Sequence, residues 1–290
     1  MTKLSYAAIT PARNEVENLR RLADCLLEQT IRPSAWIVVD NGSTDTSPDL
    51  VADLSREHGW ILAIAVPGEK TAVPGAPVVR AFHAGLAELD DLPDVVVKLD
   101  ADVSMERSYF ERLLGAFADD PALGIASGAC YELEDGAWRE RHVTGDHVRG
   151  ASRAYRRECL EAVLPLEERM GWDGIDELKA AVRGWRTSIV RDLLFYHHRA
   201  VGERDGASHR RWVAQGRGAR YMGYRFSYLC LRTLHHSRRN PAAFAMLWGY
   251  AAAALRREPV CADAEARAYL RRQQSVRRLR ARMREASGRS

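Results

Sequence analysis

Residues 94–104 read DVVVKLDADVS, a short apolar run that ends in two carboxylates. A run that is apolar along its whole length predicts a strand covered on both faces. Asp100 closes this strand and Asp102 lies in the turn after it. Two carboxylates placed in this way can reach one divalent cation, because Mg²⁺ and Mn²⁺ prefer oxygen ligands. Turn or helix-cap chemistry is the competing interpretation, since aspartate is common after strands.

Similar apolar runs lie on both sides of this segment and alternate with amphipathic stretches. They predict strands at residues 5–10, 36–40, 60–66 and 123–132, and helices at residues 16–29, 47–57, 78–89 and 108–118. Buried strands joined by helices predict an α/β fold with a mostly parallel, doubly wound sheet. Ligands bind such sheets in a crevice beyond the carboxyl ends of the strands, so that edge is the expected site of chemistry.

Two other predicted strands also end in polar clusters. TPARNE (residues 10–15) follows the first strand, and DNGSTD (residues 40–45) follows the second. Gly42 permits a tight turn, and the Asp40 carboxylate can accept hydrogen bonds from a base or a ribose. An ordinary strand–turn–helix joint is the alternative. Loops at one edge of the sheet would bring these clusters close to the two carboxylates of the fourth strand.

Charge divides the chain into two parts. Residues 206–290 hold 19 arginines and 4 acidic residues, whereas residues 1–205 hold 24 basic and 35 acidic residues. We therefore expect an α/β domain over residues 1–205 and a basic, partly apolar helical extension over residues 206–290. The apolar run 241–255 is shorter than the ~20 residues of a membrane-spanning helix, which favours a buried or interfacial helix. The arginines and aromatic residues of the extension suit an anionic membrane surface, with a bundle that covers the sheet or forms a homodimer as the alternative.

The cysteines and the N-terminus indicate a compartment. Five cysteines are dispersed without CxxC spacing, which favours a reducing cytoplasm over a disulfide framework. The first residues, MTKLSYAAITPARNE, lack a basic start followed by a long apolar run, so we expect no signal peptide. Together with the basic extension, this predicts a cytoplasmic protein at the inner face of the membrane.

Taken in order, the motifs resemble those of inverting family-two glycosyltransferases of the GT-A fold. Beyond the three strand ends, the resemblance rests on GAPVVRAFHAGL (75–86), YRREC (155–159), GWDGIDELKAAVRGW (171–185) and YHHR (196–199). It covers most of residues 4–200, and the extension is similar to that of bacterial, membrane-associated members. It implies metal-dependent transfer of a sugar from a nucleotide-sugar to an acceptor hydroxyl, in cell-surface polysaccharide or glycolipid synthesis. A UDP-sugar is the favoured donor, with dTDP- and GDP-sugars open.

The resemblance also implies which residues bind the donor and the metal. Asp40 would contact the base and Lys98 and Arg80 the phosphates, and Asp100 and Asp102 match the metal-binding Asp-x-Asp. One of two adjacent histidines would be a further metal ligand, and since neighbours on a strand face opposite sides, at most one reaches the site. The full set is Thr10, Pro11, Arg13, Glu15, Asp40, Arg80, Lys98 and Asp100 for the nucleotide-sugar, and Asp100, Asp102, His197 and His198 for Mn²⁺ or Mg²⁺.

The catalytic base departs from the family pattern. Counting back from Gly184, Trp172 and Asp173 stand where the family has a Glu-Asp pair. This leaves Asp173 and Asp176 as alternatives for the base that takes the acceptor proton, with Asp173 favoured. The resemblance further implies that Arg199 contacts the diphosphate, with a solvated surface arginine as the alternative.

Other functional classes fit the sequence less well. A nucleotidyltransferase needs a Gly- and Arg/Lys-rich loop near the N-terminus, and TPARNE is not one. A nucleic-acid-binding protein could use the basic extension, but the strand-end carboxylates would repel a polyanion. The sequence has no G-x-G-x-x-G after the first strand, which excludes a Rossmann dehydrogenase. A catalytically inactive scaffold of the transferase fold remains the main alternative.

Overall fold

The structure is a computed structural model that describes residues 4–68, 73, 75–134, 136–141, 147–198, 208–238 and 240–275. It divides into two compact units, Met1–Ala200 and Val201–Ser290. The first unit is built on one mixed sheet, and the second is helical.

The N-terminal half of the first unit is parallel and doubly wound, as the sequence predicts. Its strands lie in the order β3-β2-β1-β4, and all three pairings are parallel. The strands are β1 (Tyr6–Ala12), β2 (Ala35–Asp40), β3 (Ile61–Ala65) and β4 (Val95–Leu99), and the connecting helices are α1 (Val16–Leu27), α2 (Ser47–Glu57) and α3 (Ala76–Ala87).

The sheet continues from β4 with strands of both directions. The order is β8-β6-β9-β5, with β7 paired to β6; β8 runs antiparallel to both β4 and β6, and β9 runs parallel to β6. The predicted parallel arrangement therefore describes the first four strands, and the whole sheet is mixed. The remaining elements are β5 (Val103–Met105), α4 (Tyr109–Asp119), β6 (Leu123–Glu134), β7 (Ala137–Glu140), β8 (Ser152–Arg156), α5 (Arg157–Val163), α6 (Trp172–Val182) and β9 (Arg186–His197).

Both faces of the parallel strands are buried, which explains why these strands are apolar throughout. Trp36 and Val38 of β2 belong to one core cluster, whereas Ile37 and Val39 belong to a second cluster on the opposite face. Helices cover the two faces, so each buried aliphatic side chain contributes roughly 1.5–3 kcal/mol. The polar clusters that follow β1, β2 and β4 lie beyond this layered core.

The second unit consists of four helices and a short 3₁₀ turn among the described residues. They are α7 (Ser208–Tyr221), α8 (Phe226–Ser237), the 3₁₀ turn Pro241–Phe244, α9 (Ala245–Leu255) and α10 (Ala264–Gln273). Helices α7 and α9 cross closely at two glycines, since a methyl group on Gly216 or Gly249 would overlap a backbone carbonyl of the other helix. Within the described part of the chain, no helix combines the length and apolar character that crossing a bilayer requires.

Helix α9 is apolar on its outward side as well as on its packed side. Phe244, Trp248 and Leu255 are 51%, 65% and 82% exposed, and Ala251 is also exposed. Their spacing of four, three and four residues places them in one stripe along the helix. Two exposed arginines, Arg256 and Arg257, follow the stripe directly. We call these four apolar residues the α9 stripe.

Candidate active site

The polar clusters after β1 and β2 are joined to each other by hydrogen bonds. The Asn14 backbone N–H donates to Ser43 Oγ at 2.9 Å, and the Thr44 N–H donates to Asn14 Oδ1 at 2.7 Å. Asn14 has a φ of 55°, a left-handed conformation that asparagine tolerates better than most residues. The two loops therefore form one polar surface at the carboxyl ends of the strands, as the sequence predicts.

Asp40 lies at this surface beside an apolar recess. Both of its carboxylate oxygens accept from the Ser43 backbone N–H, each at 3.2 Å. The recess next to it is lined by Ala12, Val38 and Val51 among others. An apolar wall with one carboxylate acceptor can receive a planar ring that carries an N–H group.

The other residues expected around the nucleotide have different surroundings. Pro11 is half-buried and Arg13 is exposed at the same edge. Thr10 is fully buried, and its hydroxyl accepts a hydrogen bond from Trp36 Nε1 at 3.0 Å, so its side chain does not line an open pocket. Glu15 is also buried, and its carboxylate accepts from Asn18 Nδ2 at 2.7 Å.

Arg80 of α3 forms an ion pair with Glu168, with 2.5 Å between its Nε and the carboxylate. Arg199 falls outside the described residues.

Asp100, Asp102 and His197 meet beyond the end of β4. One ligand atom from each lies within 4.8 Å of the others, and His197 Nε2 is 3.2 Å from Asp102 Oδ1. Backbone pairing brings them together, because β5 runs antiparallel to β9 and aligns Val103 with His197. Two carboxylates and an imidazole are donors that Mn²⁺ or Mg²⁺ accepts in proteins.

The second histidine of the pair faces elsewhere. His198 Nε2 lies 2.7 Å from Ser104 Oγ, and its ring packs edge-on against Trp138. His197, in contrast, is buried with the carboxylates. Of the two histidines considered for the metal, the structure therefore brings His197 to Asp102 and leaves His198 at the surface.

Lys98 ties Asp100 to a neighbouring loop. Its buried ammonium donates to Asp100 Oδ1 at 2.5 Å and to the Gly150 carbonyl at 2.7 Å. Burial, together with the negative charge of Asp102, raises the pKa of Asp100, although Lys98 opposes this. Burial lowers the pKa of His197, but the hydrogen bond and charge of Asp102 outweigh burial and raise it. The cluster therefore concentrates negative charge that a cation would neutralise.

Glu132 is a buried member of this region that the sequence does not predict. It pairs with His197 in the β6–β9 register, and its Oε1 lies 3.6 Å from His197 Nδ1. Arg149 and Arg141 balance its charge at 2.9 and 3.4 Å. Among the described residues, neither His197 Nδ1 nor Glu132 Oε1 has a partner with hydrogen-bond geometry. A carboxylate beside the second nitrogen of a histidine is the usual support of a metal-ligating imidazole.

The two candidate bases differ in access. Asp176 has a side chain that is 1% exposed, and it accepts from Arg153 at 2.6 and 3.0 Å and from the Tyr155 hydroxyl at 2.5 Å. Asp173, in the first turn of α6, is 28% exposed. Its Oδ2 lies 3.7 Å from the position that a Cβ on Gly150 would occupy, and Gly150 is the residue that Lys98 contacts. Asp173 is therefore the more exposed of the two candidate bases, and it lies beside the residue that Lys98 contacts.

Comparison with known proteins identifies the family. The sequence model described as "Glycosyl transferase family 2" matches residues 7–162. A comparison with curated proteins gave no match.

Three solved structures have a similar fold. The mannosyltransferase PcManGT from Pyrobaculum calidifontis, in complex with GDP-Man and Mn²⁺, has a TM-score of 0.56 and 19% identity over 99% of this chain and 85% of its own. S. aureus TarS 1–349 in complex with UDP-GlcNAc has a TM-score of 0.56 and 17% identity, covering 73% of this chain and 65% of its own. GalNAc-T7 with UDP, GalNAc and Mn²⁺ has a TM-score of 0.62 and 13% identity, covering 83% of this chain and 52% of its own.

These identities are low, so the likeness establishes the fold. The chain spans most of the mannosyltransferase but less than two thirds of the other two proteins. The family model, in contrast, covers more than half of the chain. The mixed α/β sheet is of the GT-A type, and the chain belongs to glycosyl transferase family 2 and is a glycosyltransferase.

Proposed function

We propose that this protein transfers a sugar from a nucleotide-sugar to an acceptor hydroxyl, with inversion at the anomeric carbon and with a divalent cation as cofactor. The observation that carries the proposal is the convergence of Asp100, Asp102 and His197 beyond the end of β4. Asp173 is exposed beside Gly150, the residue that Lys98 contacts. Cell-surface polysaccharide or glycolipid synthesis is the proposed setting.

The recess at Asp40 supports a nucleotide donor. A carboxylate that accepts hydrogen bonds suits uracil, thymine and guanine, each of which has a ring N–H. The mannosyltransferase was solved with GDP-Man and TarS with UDP-GlcNAc, so similar folds accommodate either base. We favour a UDP-sugar on the strength of the sequence resemblance. Arg13, exposed directly after β1, is the proposed contact to the phosphates.

Asp100, Asp102 and His197 are the residues that would hold the cation. Their fit to Mn²⁺ or Mg²⁺ rests on the oxygen-rich donor set and on the buried His197 Nδ1 that faces Glu132. When bound, the cation would supply Lewis-acid neutralisation of the charge that builds on the leaving nucleoside diphosphate. Lys98 restrains Asp100 through its hydrogen bond.

Asp173 is the proposed general base. The acceptor oxygen attacks the anomeric carbon from the face opposite the leaving group while its proton passes to the Asp173 carboxylate. The bond from the anomeric carbon to the diphosphate oxygen breaks with its electron pair on that oxygen. Asp176 is the alternative, and it is less suited to this role because its buried carboxylate already accepts hydrogen bonds from Arg153 and Tyr155.

The helical unit supports peripheral attachment to an anionic membrane. The α9 stripe offers an apolar surface, and the exposed Arg256 and Arg257 next to it would attract anionic headgroups. We therefore propose that the protein acts at the inner face of the membrane. A homodimer that covers the stripe is the alternative occupant.

The activity is tested by measuring nucleoside diphosphate release from UDP-, GDP- and dTDP-sugars with and without Mn²⁺. We expect Asp173→Asn to lower kcat by roughly 10²–10⁴-fold while nucleotide still binds, because only the proton acceptor is lost. Asp102→Asn should remove the Mn²⁺-dependent shift in melting temperature. Asp53→Asn, on the exposed face of α2, is the matched control and should change neither.

Two results would contradict the proposal. Near wild-type turnover in Asp173→Asn would exclude this residue as the base. A melting temperature that no nucleotide shifts, with or without Mn²⁺, would argue against nucleotide-sugar transfer altogether.

A further inference from the structure

His147 lies between Asp173 and Glu177 and has no part in the mechanism so far. Its Nδ1 is 2.9 Å from Glu177 Oε2, and its Nε2 is 3.8 Å from Asp173 Oδ2. Both acidic residues belong to α6, four positions apart, and so they lie on the same side of the helix. The imidazole therefore bridges two carboxylates one turn apart.

Glu177 is fixed independently of His147. Its Oε1 accepts from the Val148 backbone N–H at 2.8 Å and lies 3.2 Å from the Arg153 guanidinium, while its Oε2 is the oxygen that meets His147. With 16% of its side chain exposed, Glu177 is a rigid acceptor. A hydrogen bond to one ring nitrogen sets the tautomer and orientation of a histidine, so Nε2 is aimed at Asp173.

The charges around His147 favour its protonated form. Burial lowers the pKa of His147, but the hydrogen bond and charge of Glu177, with the charge of Asp173, outweigh burial and raise it. Among the described residues, Arg153 of β8 is the cation that opposes this. An imidazolium beside Asp173 is therefore stable over a wider pH range than a free histidine.

We propose that His147 is a positioning residue for the general base. It attracts Asp173 Oδ2 and leaves Oδ1 free for the acceptor hydroxyl, while Glu177 holds the ring from the other side. The inference rests on the proposed function, since it assigns Asp173 the role of base. Glu177 thus holds the positive charge of the His147 imidazolium beside the Asp173 carboxylate. Preorganised active sites use fixed charges in this way to keep a reacting group in a productive geometry.

A titration by NMR tests the contact without any assay of activity. The His147 ring proton signal is followed over pH in the wild-type protein and in Asp173→Asn. We expect the titration midpoint of His147 to fall by roughly one pH unit or more in the variant, because a neighbouring negative charge has been removed. An unchanged midpoint would overturn the proposal.

The kinetic consequence is tested with His147→Phe and His147→Gln, with His58→Phe as the control. His58 packs against Trp60 in the α2–β3 loop, away from these contacts. We expect kcat to fall between roughly ten- and a hundredfold at unchanged donor KM, because Asp173 loses its orientation. A kcat that stays within about twofold of the wild-type value in both variants, or a loss that appears in the donor KM instead of kcat, would contradict a positioning role.

The proposed function and the role of His147 can fail separately. If Asp173→Asn retains turnover, the base assignment of the proposed function is wrong. If Asp173→Asn is inactive but the His147 titration is the same in both proteins, the proposed function stands and only the role of His147 is overturned.

Discussion

Arg153 is the residue on which the arrangement of α6 depends. Its side chain is fully buried, and its guanidinium donates to Asp176 at 2.6 Å and to the Asp173 backbone carbonyl at 2.8 Å. It also reaches Glu177 and the Val148 carbonyl. One cation on β8 thus anchors the first turn of the helix that presents the proposed base. Its removal would leave the Asp176 carboxylate buried without its counter-ion.

We expect Arg153→Met to lower the free energy of unfolding by about 3–5 kcal/mol, because breaking a buried ion pair leaves an uncompensated charge. Urea denaturation followed by circular dichroism measures the change. Arg56→Met is the matched control, since the Arg56–Asp53 pair is exposed on α2 and should be worth less than about 1 kcal/mol. Equal costs for the two substitutions would show that the buried network adds no special stability.

Single residues were predictable where a local pattern fixes their place. Asp40 and Asp100 are such cases, since Asp40 is the last residue of β2 and Asp100 directly follows the last residue of β4. Glu132 and His147 are not, because their partners His197 and Glu177 lie 65 and 30 residues away and meet them only after folding. The hydrogen bond from Trp36 Nε1 to the Thr10 hydroxyl, which joins β2 to β1, is likewise a contact that no local pattern indicates.

At the scale of elements, the contact between α7 and α9 depends on small residues. A methyl group on Gly216 would overlap the Met246 carbonyl, and one on Gly249 would overlap the Val213 carbonyl. Gly218, two residues along α7 from Gly216, has open space around its Cβ position. Of these two glycines of α7, only Gly216 is required by the close approach of α9.

Alanine at these two positions should act in opposite directions. Gly216→Ala should destabilise the helical unit by roughly 1–3 kcal/mol, because the helices must separate. Gly218→Ala should stabilise it by roughly 0.5–1 kcal/mol through helix propensity alone. Hydrogen exchange of the α7 and α9 amides measures both effects. Increased protection in Gly216→Ala would refute the close packing inferred here.

The elements of the parallel half could be predicted because each strand is buried on both faces and therefore reads as a continuous apolar run. Of the strands beyond β4, β6 could be predicted from its apolar run, whereas β7 and β8 could not be predicted in this way. Strand β8, SRAYR, carries a buried arginine and a buried serine, so it has no apolar pattern, and β7 is mostly exposed. The sequence therefore predicts the parallel strands and the helices that connect them. It does not predict that β8 inserts between β4 and β6.

At the scale of the whole molecule, the proposed membrane attachment depends on the α9 stripe. Trp248→Ser combined with Leu255→Ser should reduce sedimentation with vesicles of phosphatidylcholine and phosphatidylglycerol at moderate salt. The loss of two apolar side chains should weaken the free energy of binding to the vesicles by several kcal/mol. The partition coefficient of the protein between vesicles and water should therefore fall at least about tenfold. Leu133→Ser, at an exposed position of β6, is the control and should leave sedimentation unchanged.

A wild-type protein that stays in the supernatant would refute membrane attachment. If it also elutes as a dimer, and the double variant elutes as a monomer, the stripe is instead an interface between two copies of the chain.

The buried and exposed carboxylates of α6 also constrain how this segment can vary in length. Consecutive residues of an α-helix are 100° apart around the axis. A single insertion or deletion between Asp173 and Asp176 would therefore rotate one relative to the other by that angle, turning the ion-paired carboxylate outward or the solvent-facing one inward. The spacing of the two acids is therefore fixed by the geometry of the helix. An insertion or deletion between them should cost more than a substitution at an exposed position of α6 that neither carboxylate contacts.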